Sequence, residues 1–275
     1  MTMDKKTRKR RLLILLGIIL AFVGFSLLFE IPVTEKIKIP NTTDPSVKCV
    51  LVTDLHSCSY GKDQKTLVSL IKKQEPDIIF LGGDIFDDKL DDENTKVFLK
   101  TIVNICPCFY VTGNHEYWSG RVDEMCAYTE SLGITVLRGA CSSITINGKK
   151  IDVCGVDDPT YFSQEDWEKQ LQTAWSETSE DSYKILLTHR PEKVDDYKQY
   201  DFDLVLAGHA HAGQVRIPLL NRGAYAPDQG FFAKYVSGLY ELKSGEYLIV
   251  SRGLARESTP LPRFFNNPEI VVFEI

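Results

Sequence analysis

From Leu12 to Phe29 the chain carries 18 residues without a charge, nearly all large and apolar. A helix over this run has no polar face, which sets it apart from an amphipathic core helix. At ~1.5 Å per residue it is roughly 27 Å long, close to the ~30 Å hydrocarbon core of a bilayer. The run predicts an uncleaved transmembrane anchor. A cleaved signal peptide is the alternative, with Gly24 and Ser26 as small residues near a cut, but the apolar run continues through Leu27, Leu28 and Phe29, longer than a typical signal core. Lys5, Lys6, Arg8, Lys9, Arg10 and Arg11 precede the run, so residues 1–11 read as a basic cytoplasmic segment. The rest of the chain is then expected outside the cytoplasmic membrane. Residues 30–47, with Pro32, Pro40 and Pro45, read as an extended linker into a domain over residues 48–275.

The body alternates apolar runs with helical spacing. Lys48–Asp54 and Asp77–Asp84 are β-branched or apolar strands that each end in an acid, and Cys108–Val111 runs into Gly-Asn-His. Between them, 62–74 and 93–105 have helical periodicity, and a helix near 122–132 precedes a short strand at 134–137. Strands buried on both faces and alternating with helices imply parallel βαβ units. Residues 143–153 alternate around Asn147-Gly148, a strong hairpin signal. Ser163–Ser176 reads as an amphipathic helix opened by a serine cap with acids in its first turn. Tyr183–Thr188 and Phe202–Ala207 are two further strands, each running into a histidine. After Gly213 the pattern predicts β-hairpins: 214–217, 241–251 around Ser244-Gly245, and 269–275. The sum is an α/β domain, parallel in its first half and more antiparallel in its second.

Composition narrows the function classes. Apolar residues make up 43% and charged residues 25% of 275, ordinary globular values that exclude wholesale disorder and a multi-span membrane protein. The net charge is −6, but residues 1–35 hold six basic and three acidic residues, leaving 26 basic against 35 acidic in residues 36–275. So acidic a body argues against nucleic-acid binding through a basic face. Seven cysteines, an odd count with no C-x-x-C, argue against a disulfide scaffold or a structural zinc ribbon. Cys49, Cys106, Cys108 and Cys154 sit in strand-like runs and read as small buried residues.

The chemistry collects at strand ends, where open α/β sheets place functional groups. The ends carry Asp54-Leu55-His56, Gly83-Asp84, Gly113-Asn114-His115-Glu116, Thr188-His189 and Gly208-His209-Ala210-His211. Asp54, Asp84 and Asn114 are spaced 30 residues apart, about one βαβ unit per step, and all five histidines of the chain fall in this set. Each piece alone is weak. Together, oxygen and imidazole donors converging on one edge suit a metal centre. Acids and imidazoles packed there without a cation would carry large desolvation penalties.

In these five blocks (D-x-H, G-D, G-N-H, a lone H and G-H-x-H) the sequence resembles the calcineurin-like metallophosphoesterase superfamily. The run GHAHAGQVRIP, with YAPDQGFF and SRGL further on, is similar to its membrane-tethered bacterial branch, although Ala212 stands where that branch usually has glycine. The resemblance implies a four-layer α/β/β/α sandwich. It also implies two divalent metal ions, manganese first, with iron or zinc as the alternatives. Asp54, His56 and His211 would hold one; Asn114, His189 and His209 the other; Asp84 would bridge both. His115 matches a family residue that binds no metal and faces the substrate, and Glu116 or another acid is a candidate to orient it. Asp54 and His56, two apart at a strand end, are expected to point to one face.

The implied reaction is hydrolysis of a phosphodiester, phosphomonoester or pyrophosphate by a hydroxide bridging the two metals, with His115 and Asp84 as catalytic residues. Arg190, Arg216, Arg252 and Arg256 are candidate phosphate contacts. Residues 218–235, rich in aromatics, form a candidate loop over the site or against a bilayer. Tyr117 and Trp118 are candidate pocket walls. The tether would hold the site near a membrane, so the expected substrate is a phosphorylated small molecule or a lipid-linked compound; by analogy, relatives in this branch are associated with nucleotide-sugar lipid pyrophosphate hydrolysis. Alternatives are a broad phosphomonoesterase or protein phosphatase, and a non-catalytic, membrane-anchored metal-binding module. No nucleic-acid partner is expected, and the oligomeric state stays open.

Overall fold

A computed structural model describes residues 5–26, 29–40, 42, 44–217, 222–223, 225–243, 245–256 and 263–275. In chain order the elements are α1 (Lys5–Ser26), β1 (Val33–Ile37), β2 (Lys48–Val52), α2 (Lys65–Lys72), β3 (Ile78–Gly82), α3 (Glu93–Ile102), β4 (Cys108–Val111), α4 (Asn114–Trp118), α5 (Val122–Ser131) and β5 (Thr135–Val136). There follow β6 (Ala140–Ile146), β7 (Lys149–Gly155), α6 (Gln164–Ser176), β8 (Tyr183–Leu187), α7 (Val194–Tyr197), β9 (Leu204–Ala207), and the short strands β10 (Arg216–Ile217), β11 (Arg222–Gly223), β12 (Tyr225–Ala226) and β13 (Gly230–Phe231). The chain closes with β14 (Gly238–Lys243), β15 (Glu246–Val250) and β16 (Glu269–Glu274).

Two six-stranded sheets form, in the orders β1-β16-β2-β3-β4-β5 and β14-β15-β9-β8-β7-β6. The central strands are apolar on both faces because both faces are covered. One core lies between the sheets and joins Leu51, Phe80 and Phe109 of the first to Val153, Leu187 and Leu206 of the second. A second core packs the outer face of the first sheet, through Val50, Ile79 and Tyr110, against Leu67 and Ile71 of α2 and Phe98 and Leu99 of α3. A third packs Leu186, Val205 and Leu248 of the second sheet against Trp167 and Leu171 of α6. Three cores separate four layers, helix, sheet, sheet, helix. β2, β3 and β4 run parallel, as do β7, β8, β9 and β15, so the C-terminal ends of both sets meet at one end of the sandwich.

Local chemistry explains several boundaries. Ser163 caps α6 by accepting the Asp166 N–H at 3.1 Å. Asn147 and Gly148 both take positive φ, 51° and 80°, as the turn between β6 and β7 requires.

The second half is more antiparallel than the first, as expected: β6–β7, β10–β11, β12–β13, β14–β15 and β16–β2 pair antiparallel, although β7, β8, β9 and β15 form a parallel set. Three expectations change. Residues 269–275 form no hairpin; β16 crosses to the first sheet and pairs antiparallel with β2 and parallel with β1. Within the segment read as a linker, Val33–Ile37 is an edge strand, its backbone hydrogen bonds supplied by β16. The N-terminal helix α1 forms, but its uncharged part within the described residues runs only from Leu12 to Ser26, and Leu27 and Leu28 lie outside them. Among the described residues, no helix is long and apolar enough to cross a membrane, so the transmembrane anchor is unsupported.

Candidate metal centre

The strand ends bring the predicted residues together. Donor atoms of Asp54, His56 and His211 lie within 4.8 Å of one another, and so do those of Asp84, His189 and His209. Asp84 sits between the groups: its Oδ2 is 3.1 Å from His189 Nε2 and 3.6 Å from His56 Nε2, while its Oδ1 accepts the His115 N–H at 2.8 Å. Asn114, at the first position of α4, is fully buried.

Backbone strain marks these positions. Asp54, His56, Asp84, His209 and His211 all have φ between 46° and 63°, in the left-handed region that bulky residues avoid. β2 ends at Val52, so Asp54 and His56 lie in a loop, and the two-residue alternation expected of them does not apply. They converge through left-handed turns instead. Two glycines give the loops room. A side chain at Gly113 would collide with the Asp84 carboxylate, and a Cβ at Gly208 would stand 2.6 Å from Asp54 Oδ2.

The outer nitrogens of the imidazoles are fixed by neighbours. His56 Nδ1 lies 3.0 Å from Asp87 Oδ1, His189 Nδ1 donates to the Gly82 carbonyl at 2.9 Å, and His209 Nε2 lies 2.9 Å from Asp228 Oδ2. Such contacts orient metal-binding histidines and set their tautomers. Inside the cluster, Asp54 Oδ2, His56 Nε2, Asn114 Oδ1 and His189 Nε2 are buried without a hydrogen-bond partner, and His211 turns its Nε2 to within 3.6 Å of Asp54 Oδ1; His189 Nε2 approaches Asp84 closely but without hydrogen-bond geometry. Buried polar groups are almost always satisfied, so four orphans in one cluster are the signature of a site built to bind cations. The donors, hard oxygens and imidazoles without thiolate, suit such ions.

Charge follows the same plan. Burial opposes ionisation of Asp84, but His189, His56 and His115 outweigh it and hold its carboxyl well below the usual range. Burial pushes His211 down to about 3, against the pull of Asp54, so its ring is neutral and able to donate a lone pair.

Several partners were not legible from the sequence. His115 Nδ1 lies 2.7 Å from Asp88 Oδ1 and 3.2 Å from Asp87 Oδ1. Glu116 does not orient His115. Its carboxylate accepts the N–H groups of Gly113, Asp84, Ile85 and Phe86 and the Tyr110 hydroxyl, at 2.8–3.1 Å, and so clamps two ligand loops together. Of the four candidate arginines, Arg190 reaches the cluster: Nη1 is 2.8 Å from His209 Nε2, and the guanidinium also pairs with Asp158 and Asp228. Arg252 is tied to Glu269 and Glu35, and Arg256 donates to the Ser59 carbonyl over the Tyr60 ring. Arg216 is half-buried, its backbone N–H on the Phe264 carbonyl. Trp118, half-exposed, packs 4.7 Å from His115, and Tyr117 stacks on Tyr161. In the aromatic loop, residues 218–221 and 224 lie outside the described residues; Phe231 and Phe232 are exposed, and Asp228 reaches the cluster.

Calcineurin-like phosphoesterase is the family whose description matches residues 47–213, and the chain belongs to that family. An uncharacterized metallophosphoesterase of Helicobacter pylori is 30% identical over 84% of this chain and 60% of its own length. A Bos taurus protein named as a transmembrane protein with a metallophosphoesterase domain is 30% identical over 93% of this chain and 61% of its own. The chain thus spans about three fifths of the length of these relatives. Among solved structures, TT1561 of Thermus thermophilus aligns with a TM-score of 0.50 at 15% identity, covering 76% of this chain and 90% of that one. The sulfate thiohydrolase SoxB of the same genus aligns with a TM-score of 0.52 at 12% identity, covering 82% of this chain and 53% of its own. At such identities the likeness is one of fold.

Proposed function

We propose that the chain is a metal-dependent hydrolase of phosphoesters or pyrophosphates. The observation that carries this reading is the set of orphaned donors on Asp54, His56, Asn114 and His189 facing one cluster. Asp54, His56 and His211 would hold one divalent ion; Asn114, His189 and His209 the other; Asp84 would lie between them. When bound, such a pair supplies a clamp for phosphoryl oxygens and a water acidic enough to be a nucleophile near neutrality. The protein's own groups do the rest. Gly82 and the carboxylates of Asp87 and Asp228 hold the rings of His189, His56 and His209 in place. His115, turned by Asp87 and Asp88 and pushed up to about 9 against the cost of its burial, offers a proton to a departing alkoxide.

Manganese leads for the ion, with iron or zinc as alternatives; the mixed set of oxygen and imidazole donors suits all three. The proposed substrate is a phosphorylated small molecule or lipid-linked compound, and the proposed location is the membrane, through the N-terminal segment. The bovine relative's printed name supports the location by similarity alone. The test is metal analysis of the purified full chain, with manganese-stimulated hydrolysis of p-nitrophenyl phosphate and its diester. Metal uptake with hydrolysis supports the proposal. Failure to take up a divalent ion ends it, and uptake with no turnover of either ester favours a metal-binding module.

A further inference from the structure

Cys141 and Cys154 face each other across the hairpin of β6 and β7, with their Sγ atoms 2.8 Å apart. The register of that hairpin shows that a covalent bond fits there. Ile146 pairs with Lys149 across the Asn147-Gly148 turn. In a two-residue hairpin the pair beside the turn exchanges both backbone hydrogen bonds, and successive pairs then alternate. The cysteine pair is five steps further out, on a position without backbone hydrogen bonds. Cα atoms at such positions stand about 4.5 Å apart with side chains at their closest, inside the ~4.4–6.8 Å that a disulfide spans.

The two thiols also differ in access. Both are free, but Cys141 is half-buried at the start of the edge strand, while Cys154 is fully buried with its Sγ on the Ala174 carbonyl at 3.2 Å. Contact with Cys141 and burial push the Cys154 thiol up, so Cys141 is the sulfur that meets an outside reagent first.

We infer that Cys141 and Cys154 are a disulfide-forming pair, closed by exchange with an oxidised thiol compound such as glutathione disulfide. The Cys141 thiolate attacks one sulfur of that disulfide, giving a mixed disulfide and releasing one glutathione thiolate. The Cys154 sulfur then gives up its proton and attacks Cys141 Sγ, releasing the second glutathione. Two thiols are oxidised to one disulfide, and one glutathione disulfide is reduced to two thiols. The bond ties edge strand β6 to β7, whose continuation carries Asp158, a partner of Arg190. An oxidising compartment holds it closed and a reducing one holds it open. This inference is independent of the metal reading.

The test incubates the native full chain with glutathione disulfide, blocks remaining thiols with N-ethylmaleimide in denaturant, and maps the peptides by mass spectrometry without reductant. The expected result is one cross-linked peptide pair joining Cys141 to Cys154, lighter by two hydrogens than the reduced peptides, with the other five cysteines alkylated. Cys154→Ser is expected to stop at a glutathione adduct on Cys141, and Cys141→Ser to give neither product. Both cysteines found alkylated in the unmodified chain, a lasting glutathione adduct on its Cys141, or a bond from either to another cysteine would overturn the inference.

Discussion

The Nδ1 atom of His115 lies 2.7 Å from Asp88 Oδ1, within a pair of acids that also includes Asp87. That nitrogen is taken, which leaves Nε2 as the one available to a substrate. The ring stands next to Asn114 in sequence and 4.2 Å from the His56 ring, yet the carboxylates hold it by its outer edge. His115→Ala is expected to retain metal while turnover falls by roughly 10²–10⁴-fold, the usual worth of a positioned proton donor. His209→Ala is expected to lose metal. Metal content and kcat measured on the same samples separate the two roles, and loss of metal from His115→Ala would put that histidine among the ligands instead.

Asp228 acts on the site from a distance in sequence. Its Oδ2 lies 2.9 Å from His209 Nε2, and its carboxylate also meets Arg190, which Asp158 holds from the other side. Its contact with His209 outweighs the opposing effect of burial and, with the charge of Arg190, holds the Asp228 carboxyl well below the usual range. Removing such an outer partner typically costs about 10–100-fold in metal affinity. Asp228→Asn should weaken metal binding by that factor in a calorimetric titration with manganese, with little change in the thermal stability of the apo chain. Unchanged affinity would make Asp228 a surface residue that merely touches the ring.

Cys106 gives a prediction that depends on pH. Burial and the nearby charge of Asp77 push its thiol up to about 12. Its thiolate fraction at pH 8 is then on the order of a thousandfold below that of an ordinary cysteine. Alkylation by iodoacetamide in the native chain should be slow by a similar factor and should rise about tenfold per pH unit until pH approaches the raised value. The sign follows from which form reacts: raising pH increases the thiolate, and the raised pKa delays that increase. Mass-spectrometric rates at Cys106 from pH 7 to 10 test this, and a plateau near pH 9 would contradict it.

Much of the fold and the centre of the site could be read from residue order. The apolar runs of β2, β3, β4, β8 and β9 are recognisable because both faces are buried, so charged residues stay at their starts, Lys48 in β2 and Lys184 in β8. The predicted ligands stood out because the chain's five histidines all follow strand ends. What stayed hidden depends on contacts made at long range. Asp87 and Asp88 look like ordinary solvated acids in a loop until His56 and His115 fold onto them. Asp228 finds His209 through a loop conformation that no periodicity encodes. β16 was readable as a strand, but its insertion beside β2 is set by sheet pairing across more than two hundred residues. The left-handed turns at Asp54, His56 and Asp84 were also hidden: Asp and His tolerate that region better than most residues but rarely adopt it, and here the loops are bent to bring donors together.

Ala212 tests that last point through stability. It is fully buried with φ 51° and ψ 27°, whereas Ala210, two residues earlier and equally buried, has φ −74° in the ordinary helical region. An Ala→Gly change at Ala210 loses a buried methyl and loosens the unfolded chain, together about 1–2 kcal/mol. The same change at Ala212 carries those losses but relieves left-handed strain worth about 1–2 kcal/mol. Ala212→Gly should therefore leave the urea midpoint almost unmoved, while Ala210→Gly should lower it clearly. Metal binding should survive in Ala212→Gly, since glycine adopts the left-handed conformation of residue 212 freely and leaves His211 in place. Equal losses for the two variants would show that the turn at Ala212 carries no strain for glycine to relieve.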